Sequence, residues 1–155
     1  MSVRRFWRTC PERLVAVVGG VAAAEAVWLV AELVFGIHVQ APAGSGYPQP
    51  VDIGPGMVAL AAAVLALCGW GVLAVLERLT ARARGMWLVL ALLALVASLG
   101  LPLSGSGVPT AGRVVLVLMH LAVAVIVVPA LYRTSHARPR RPVQTSAQSL
   151  VGEAA

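Results

Sequence analysis

Residues 14–36 read LVAVVGGVAAAEAVWLVAELVFG, an apolar run in which Glu25 and Glu32 are the only charged side chains. A transmembrane helix needs about 20 mostly apolar residues, so this run is long enough to cross a bilayer. Three further segments have the same character, and they cover residues 55–76, 86–103 and 111–132. Because hydrocarbon offers no partner to an unpaired backbone group, all four segments are predicted to be helices.

The composition of the whole chain also indicates a membrane protein. Hydrophobic residues make up 59% of its 155 residues and charged residues only 12%, whereas soluble domains average about 45–50% and about 25%. We therefore expect an all-α protein whose four transmembrane helices form an up-down bundle over residues 14–132. Residues 1–13 are predicted to be a cytoplasmic segment, and residues 133–155 a disordered basic cytoplasmic tail.

The twelve basic residues are all arginines, and their distribution predicts the orientation of the chain. Eleven of them precede the first span, lie between the second and third spans or follow the fourth, and only Arg113 lies on the other side. Basic residues gather on the cytoplasmic side of membrane proteins. We therefore predict a multi-pass protein of a bacterial cytoplasmic membrane with both termini inside. The arginines flank apolar runs and line no aromatic-studded polar face, so no nucleic-acid partner is expected.

Ionisable side chains inside the first span are the first functional signal. A charged group at membrane depth costs about 2.5–3.5 kcal/mol on insertion scales, so it is a functional hypothesis by default. Glu25 and Glu32 are seven residues apart and are predicted to share one helix face, with Trp28 on the same side. This face is not expected to point at lipid.

Two further spans contribute polar groups at similar depths. Arg113 and His120 are seven residues apart in the fourth span and share a face. At a rise of about 1.5 Å per residue, His120 falls between the two carboxylates of the first span in depth. Ser98 of the third span falls at the level of Glu32. The polar groups are therefore predicted to gather in the outer half of the bundle.

The functional interpretation is an outward-facing site that binds a ligand or a proton. Its predicted residues are Glu25, Trp28, Glu32, Ser98, Arg113 and His120. Burial disfavours a charged carboxylate, whereas a nearby arginine favours it. Glu25, the deepest of the group, is therefore the candidate proton-binding residue, and Glu32 is the predicted ionised partner of Arg113. The candidate catalytic residues are Glu25, Glu32 and His120.

A structural interpretation uses the same residues. Glu32 with Arg113, and Glu25 with His120, would then pair between helices and fix their register. A third interpretation is contact of these groups with a partner subunit.

Other polar residues carry weaker signals. Glu77, with Arg78 and Arg82, is predicted to be a solvated cluster at the cytoplasmic end of the second span. One histidine and two glutamates without a fixed spacing do not predict a metal site. Cys10 and Cys68 give neither a metal spacing nor a disulfide framework. No metal and no cofactor is therefore expected.

Short motifs in three of the spans resemble a known family. They are LER at 76–78, LPLS at 101–104, MH at 119–120 and the proline at 129. Over residues 12–133 the chain looks like a family of small actinobacterial four-helix integral membrane proteins of unknown function. This resemblance implies a topology and a source but no chemistry. Glu25 also resembles the membrane-embedded glutamate of small multidrug-resistance transporters, but this chain is longer and its arginine bias fixes one orientation.

Three classes of function remain open. The first is a non-enzymatic protein, either an accessory subunit or a binder of a small ligand. The second is a proton-coupled transporter of a small molecule, in which Glu25 titrates as the substrate binds. The third is an intramembrane enzyme that uses glutamate acid catalysis on a lipophilic, isoprenoid-like substrate. The predicted partners are the lipid bilayer, a lipophilic small molecule, and a membrane-protein partner or a second copy of the chain.

Overall fold

The computed structural model describes residues 3–43, 48–104 and 107–135. The chain begins with helix α1 (Val3–Leu29), which continues into a π-helical turn (Val30–Val34). A two-stranded antiparallel hairpin follows, with β1 (Gln40–Ala41) and β2 (Val51–Asp52). The remaining elements are α2 (Pro55–Leu79), α3 (Ala83–Ser98), the short α4 (Gly100–Ser104) and α5 (Thr110–Thr134).

Three helical segments are long and apolar enough to cross a membrane. They cover Cys10–Val34, Pro55–Leu79 and Thr110–Thr134, with 25 residues each. At a rise of about 1.5 Å per residue each measures about 37 Å, more than the hydrocarbon core of about 30 Å. The predictions of a helical protein and of apolar helices of spanning length are confirmed for these three segments.

The third predicted span is shorter than expected. Helix α3 has 16 residues, or about 24 Å at the usual rise, and it ends at Ser98 rather than at residue 103. Its last turn tightens, because the Leu99 amide donates to the carbonyls of both Leu95 and Val96. Pro102 lacks an N–H and its ring clashes with the carbonyl four residues earlier, that of Ser98, which explains the break.

Helix α1 also covers most of the predicted N-terminal segment. Helix α1 begins at Val3, so the described part of the predicted segment 1–13 is a helical extension of the first span. Pro11 lies inside this helix and is exposed. The predicted disordered tail lies, from residue 136 onward, outside the described residues.

Helix α1 packs most extensively against α5 and also along α2, while α3 lies against both α2 and α5. Small residues allow the close approach of α1 and α5. A Cβ at Gly20 would lie only 2.7 Å from Cγ2 of Val127, and one at Gly19 would lie 3.2 Å from Cγ2 of Ile126. Small residues at helix contacts are the usual device for bringing transmembrane backbones together.

The packed interior divides into two clusters along the helix axes. At the end that carries the connection between α1 and α2, here the hairpin end, the buried residues include Ala24, Ala31, Val39, Val115 and Met119. At the other end, here the terminal end, they include Val17, Leu73, Trp87, Val127 and Leu131. Apolar side chains also cover the outside of every long helix, as lipid-facing surfaces require.

Candidate functional site

Glu32 lies on the π-helical turn that ends the first span, where it holds the connection to α2. Its Oε1 accepts a hydrogen bond from the Val39 amide at 2.9 Å, and Val39 is fully buried. Its Oε2 lies 3.2 Å from Nδ1 of His38, whose side chain is 81% exposed while that of Glu32 is 18% exposed. Glu32 therefore anchors the chain reversal at the hairpin end.

The geometry of this turn explains why the predicted partner of Glu32 is wrong. The Ile37 amide donates to the Ala31 carbonyl at 2.9 Å, and Gly36 has a positive φ of 61°, the left-handed conformation that commonly ends helices. A π turn contains more residues than an α turn. The 3.6-residue period that predicted a shared face for Glu25 and Glu32 therefore does not hold through residues 30–34.

Trp28 also ties α1 to the segment that precedes α2. Its Nε1 donates to the carbonyl of Ile53 at 2.8 Å. Together with the Glu32–Val39 bond, this contact fixes both sides of the connection between the first two long helices. The only polar atom of the Trp28 side chain, Nε1, is therefore already engaged by a backbone carbonyl that helps to hold the fold.

The predicted polar residues of the later helices donate hydrogen bonds to backbone carbonyls only three to five residues away in sequence. Nε of Arg113 donates to the Val108 carbonyl at 3.1 Å. Nδ1 of His120 donates to the Leu116 carbonyl at 2.7 Å, one turn earlier in the same helix. Oγ of Ser98 donates to the Leu95 carbonyl, also at 2.7 Å. In the described ranges the structure forms neither the Glu32–Arg113 pair nor the Glu25–His120 pair.

Glu25 differs from the other members of the predicted site. Its Oε1 is buried and has no hydrogen-bond partner within the described part of the chain. Val18, seven residues earlier on the same helical face, is 66% exposed, and Leu29, one turn later, is 43% exposed. The expectation that this face points away from lipid therefore needs correction. Glu25 lies where the packed side of α1 meets its exposed, apolar side.

A buried ion pair that the sequence did not predict lies at the terminal end. Nη2 of Arg13 is 2.7 Å from Oε1 of Glu77, and the two side chains are 5% and 7% exposed. The same Nη2 donates to the Thr134 carbonyl at 3.0 Å. One guanidinium thus joins α1, α2 and the end of α5. The prediction that Glu77 belongs to a solvated boundary cluster is wrong.

A usable signal for this pair was present in the sequence. The buried residues of α2 are Val58, Ala62, Ala66, Leu73 and Glu77, at spacings of four or seven residues. On α1, Arg13 is seven residues before Gly20 and so shares its packed face. Glu77 lies one turn beyond Leu73 in the buried stripe of α2, and Arg13 lies two turns before Gly20 in the packed face of α1. Following both patterns to these positions predicts that the two charged side chains are buried.

A second arginine reaches the end of α5 from α3. Nε of Arg84 donates to the Tyr132 carbonyl at 3.0 Å, and its guanidinium lies 4.2 Å from the centre of the Tyr132 ring. The last carbonyls of a helix carry partial negative charge, so cations are stabilising there. Trp87 adds a tie between α3 and α2, since its Nε1 donates to the Gly69 carbonyl at 3.0 Å.

The described side chains include no group of three or more His, Cys, Asp or Glu residues that could hold a metal ion.

A family model described as "Family of unknown function (DUF6069)" matches residues 2–137. No curated protein matches the chain. No solved structure matches it either.

Proposed function

We propose that the chain, which belongs to the family of unknown function DUF6069, acts as an accessory membrane protein. In this role α1 binds a transmembrane helix of another protein along the face that carries Glu25. The observation that carries the proposal is the buried Oε1 of Glu25, which finds no hydrogen-bond partner among the residues described. A buried acceptor without a partner costs about 1–3 kcal/mol. Glu25 as a residue is half-buried, so a rotation of its side chain toward the exposed side would bring this oxygen to a donor on a second helix.

The proposed setting is the cytoplasmic membrane of an actinobacterium, with the helices in a four-span bundle. α1, α2 and α5 each make one crossing, and residues 83–104, which comprise α3 and α4, make the remaining one. The terminal end is proposed to face the cytoplasm, because it carries Arg13, Arg78, Arg82 and Arg84. This arrangement puts both chain termini inside.

The local contacts of the other predicted residues support a binding role over catalysis. Glu32, Arg113 and His120 are each engaged with backbone groups near them in sequence. A catalytic acid or nucleophile needs a second group within hydrogen-bond reach that orients it or exchanges a proton with it. Glu25 has no such neighbour in the described ranges.

The chemistry of Glu25 defines the partner. A helix with an amide, hydroxyl or basic side chain at the depth of Glu25 would donate to its carboxyl group, and such bonds contribute about 1–2 kcal/mol in model transmembrane peptides. The exposed Val18 and Leu29 supply apolar surface on either side. A second copy of the chain suits this face less well. A twofold contact places identical patches together, and two Glu25 carboxylates would then repel each other.

Photo-crosslinking in the membrane tests the proposal. A photoreactive amino acid is placed at Val18 or at Leu29, and, as a control, at Val125, a 72% exposed position on α5. We expect a discrete adduct with one other membrane protein from the two α1 positions and none from Val125. The adduct should disappear in Glu25→Leu and persist in Glu25→Gln, because the amide oxygen still accepts a hydrogen bond.

The matched control variant is Glu12→Gln, which changes an exposed glutamate of the same helix and should leave the adduct unchanged. Adducts with lipid alone, or with a second copy of the chain, would contradict the proposal. So would a protein adduct that forms equally well in Glu25→Leu.

Proton-coupled transport is the second candidate, because an ionisable side chain with a buried, unpartnered oxygen inside a span is a functional hypothesis by default. The test uses the purified chain in liposomes with a pH gradient and a pH-sensitive dye in the lumen. Proton flux that Glu25→Gln abolishes and Glu12→Gln retains would support transport. Equal dye response in protein-free liposomes would rule it out.

A further inference from the structure

We draw no further inference here: the strongest candidate, the half-buried imidazole of His120 within α5, whose Nδ1 donates to the Leu116 carbonyl, is a single side chain, and nothing in the described part of the structure shows what covers its other ring nitrogen.

Discussion

Nη2 of Arg13 lies 2.7 Å from Oε1 of Glu77, with both side chains almost completely buried between the first two long helices. Burying two charges is costly, and their attraction compensates only when the geometry is good and the remaining polar atoms are satisfied. Here the same guanidinium nitrogen also reaches the Thr134 carbonyl, while Nε of Arg13 has no partner in the described residues. The guanidinium therefore joins α1, α2 and the end of α5 at the terminal end, with one of its nitrogens left without a described partner.

Breaking this pair from one side should be strongly destabilising. Arg13→Leu removes the guanidinium that lies 2.7 Å from the buried Glu77 carboxylate, and because breaking a buried pair from one side is costly, we expect a loss of about 3–5 kcal/mol in the free energy of unfolding. The double variant Arg13→Leu/Glu77→Leu should be more stable than either single variant. Unfolding by sodium dodecyl sulfate, followed by circular dichroism, measures all three. Additive losses in the double variant would show that the two charges act independently.

Removing the Glu32 side chain should loosen the hairpin end. Glu32→Ala leaves the Val39 amide without its acceptor, at a cost of about 1–3 kcal/mol for a buried group. We expect faster hydrogen exchange of the Val39 amide, read by mass spectrometry on peptides that cover residues 37–43. His38→Ala is the control, since His38 is 81% exposed and exposed pairs contribute little. Equal exchange in the two variants would mean that Val39 is protected by another contact.

A methyl group at Gly20 should separate α1 from α5. Its Cβ would lie 2.7 Å from Cγ2 of Val127, and overpacking of this kind costs about 1–3 kcal/mol. Gly71→Ala is the matched control, because its Cβ would meet nothing within 4 Å. The compensating variant Gly20→Ala/Val127→Ala should recover part of the loss. Thermal unfolding in detergent compares the four proteins, and Gly20→Ala as stable as Gly71→Ala would contradict the packing argument.

The orientation of the chain can be measured with single cysteines. In a background where Cys10 and Cys68 are replaced, a cysteine at exposed Asp52 reports the hairpin end and one at exposed Ala81 reports the terminal end. We expect a membrane-impermeant thiol reagent to label position 52 in intact cells and position 81 only after the membrane is opened. The reverse pattern would show that the arginine distribution predicts the wrong side.

The sequence predicts the apolar helices well because hydropathy and length are sufficient to define them. Residues 55–79 form one uninterrupted helix within which the predicted span 55–76 lies. Helix α3 ends before the predicted third span does, because the ring of Pro102 clashes with the carbonyl of Ser98 one turn earlier. A boundary set by hydropathy alone cannot register this effect.

The candidate site was harder to predict, and the reasons are geometric. The π turn at residues 30–34 changes the face on which Glu32 lies, and a uniform helical period does not reveal it. Nδ1 of His120 and Nε of Arg113 donate to nearby carbonyls of their own chain segment, whereas the residue pattern predicts partners for both on the first span. Glu77 was assigned to the surface because charged residues at span ends are usually solvated. Its partner Arg13 comes from 64 positions earlier in the chain.

The contact between Arg13 and the Thr134 carbonyl also has a consequence for biosynthesis. Arg13 leaves the ribosome with the first helix, whereas Thr134 ends the last described helix, so synthesis must proceed 121 positions beyond Arg13 before this acceptor exists. Until α5 is inserted, the guanidinium has only part of its final set of acceptors. A chain that stalls before the last helix therefore lacks one of the two acceptors that Nη2 of Arg13 contacts in the finished fold.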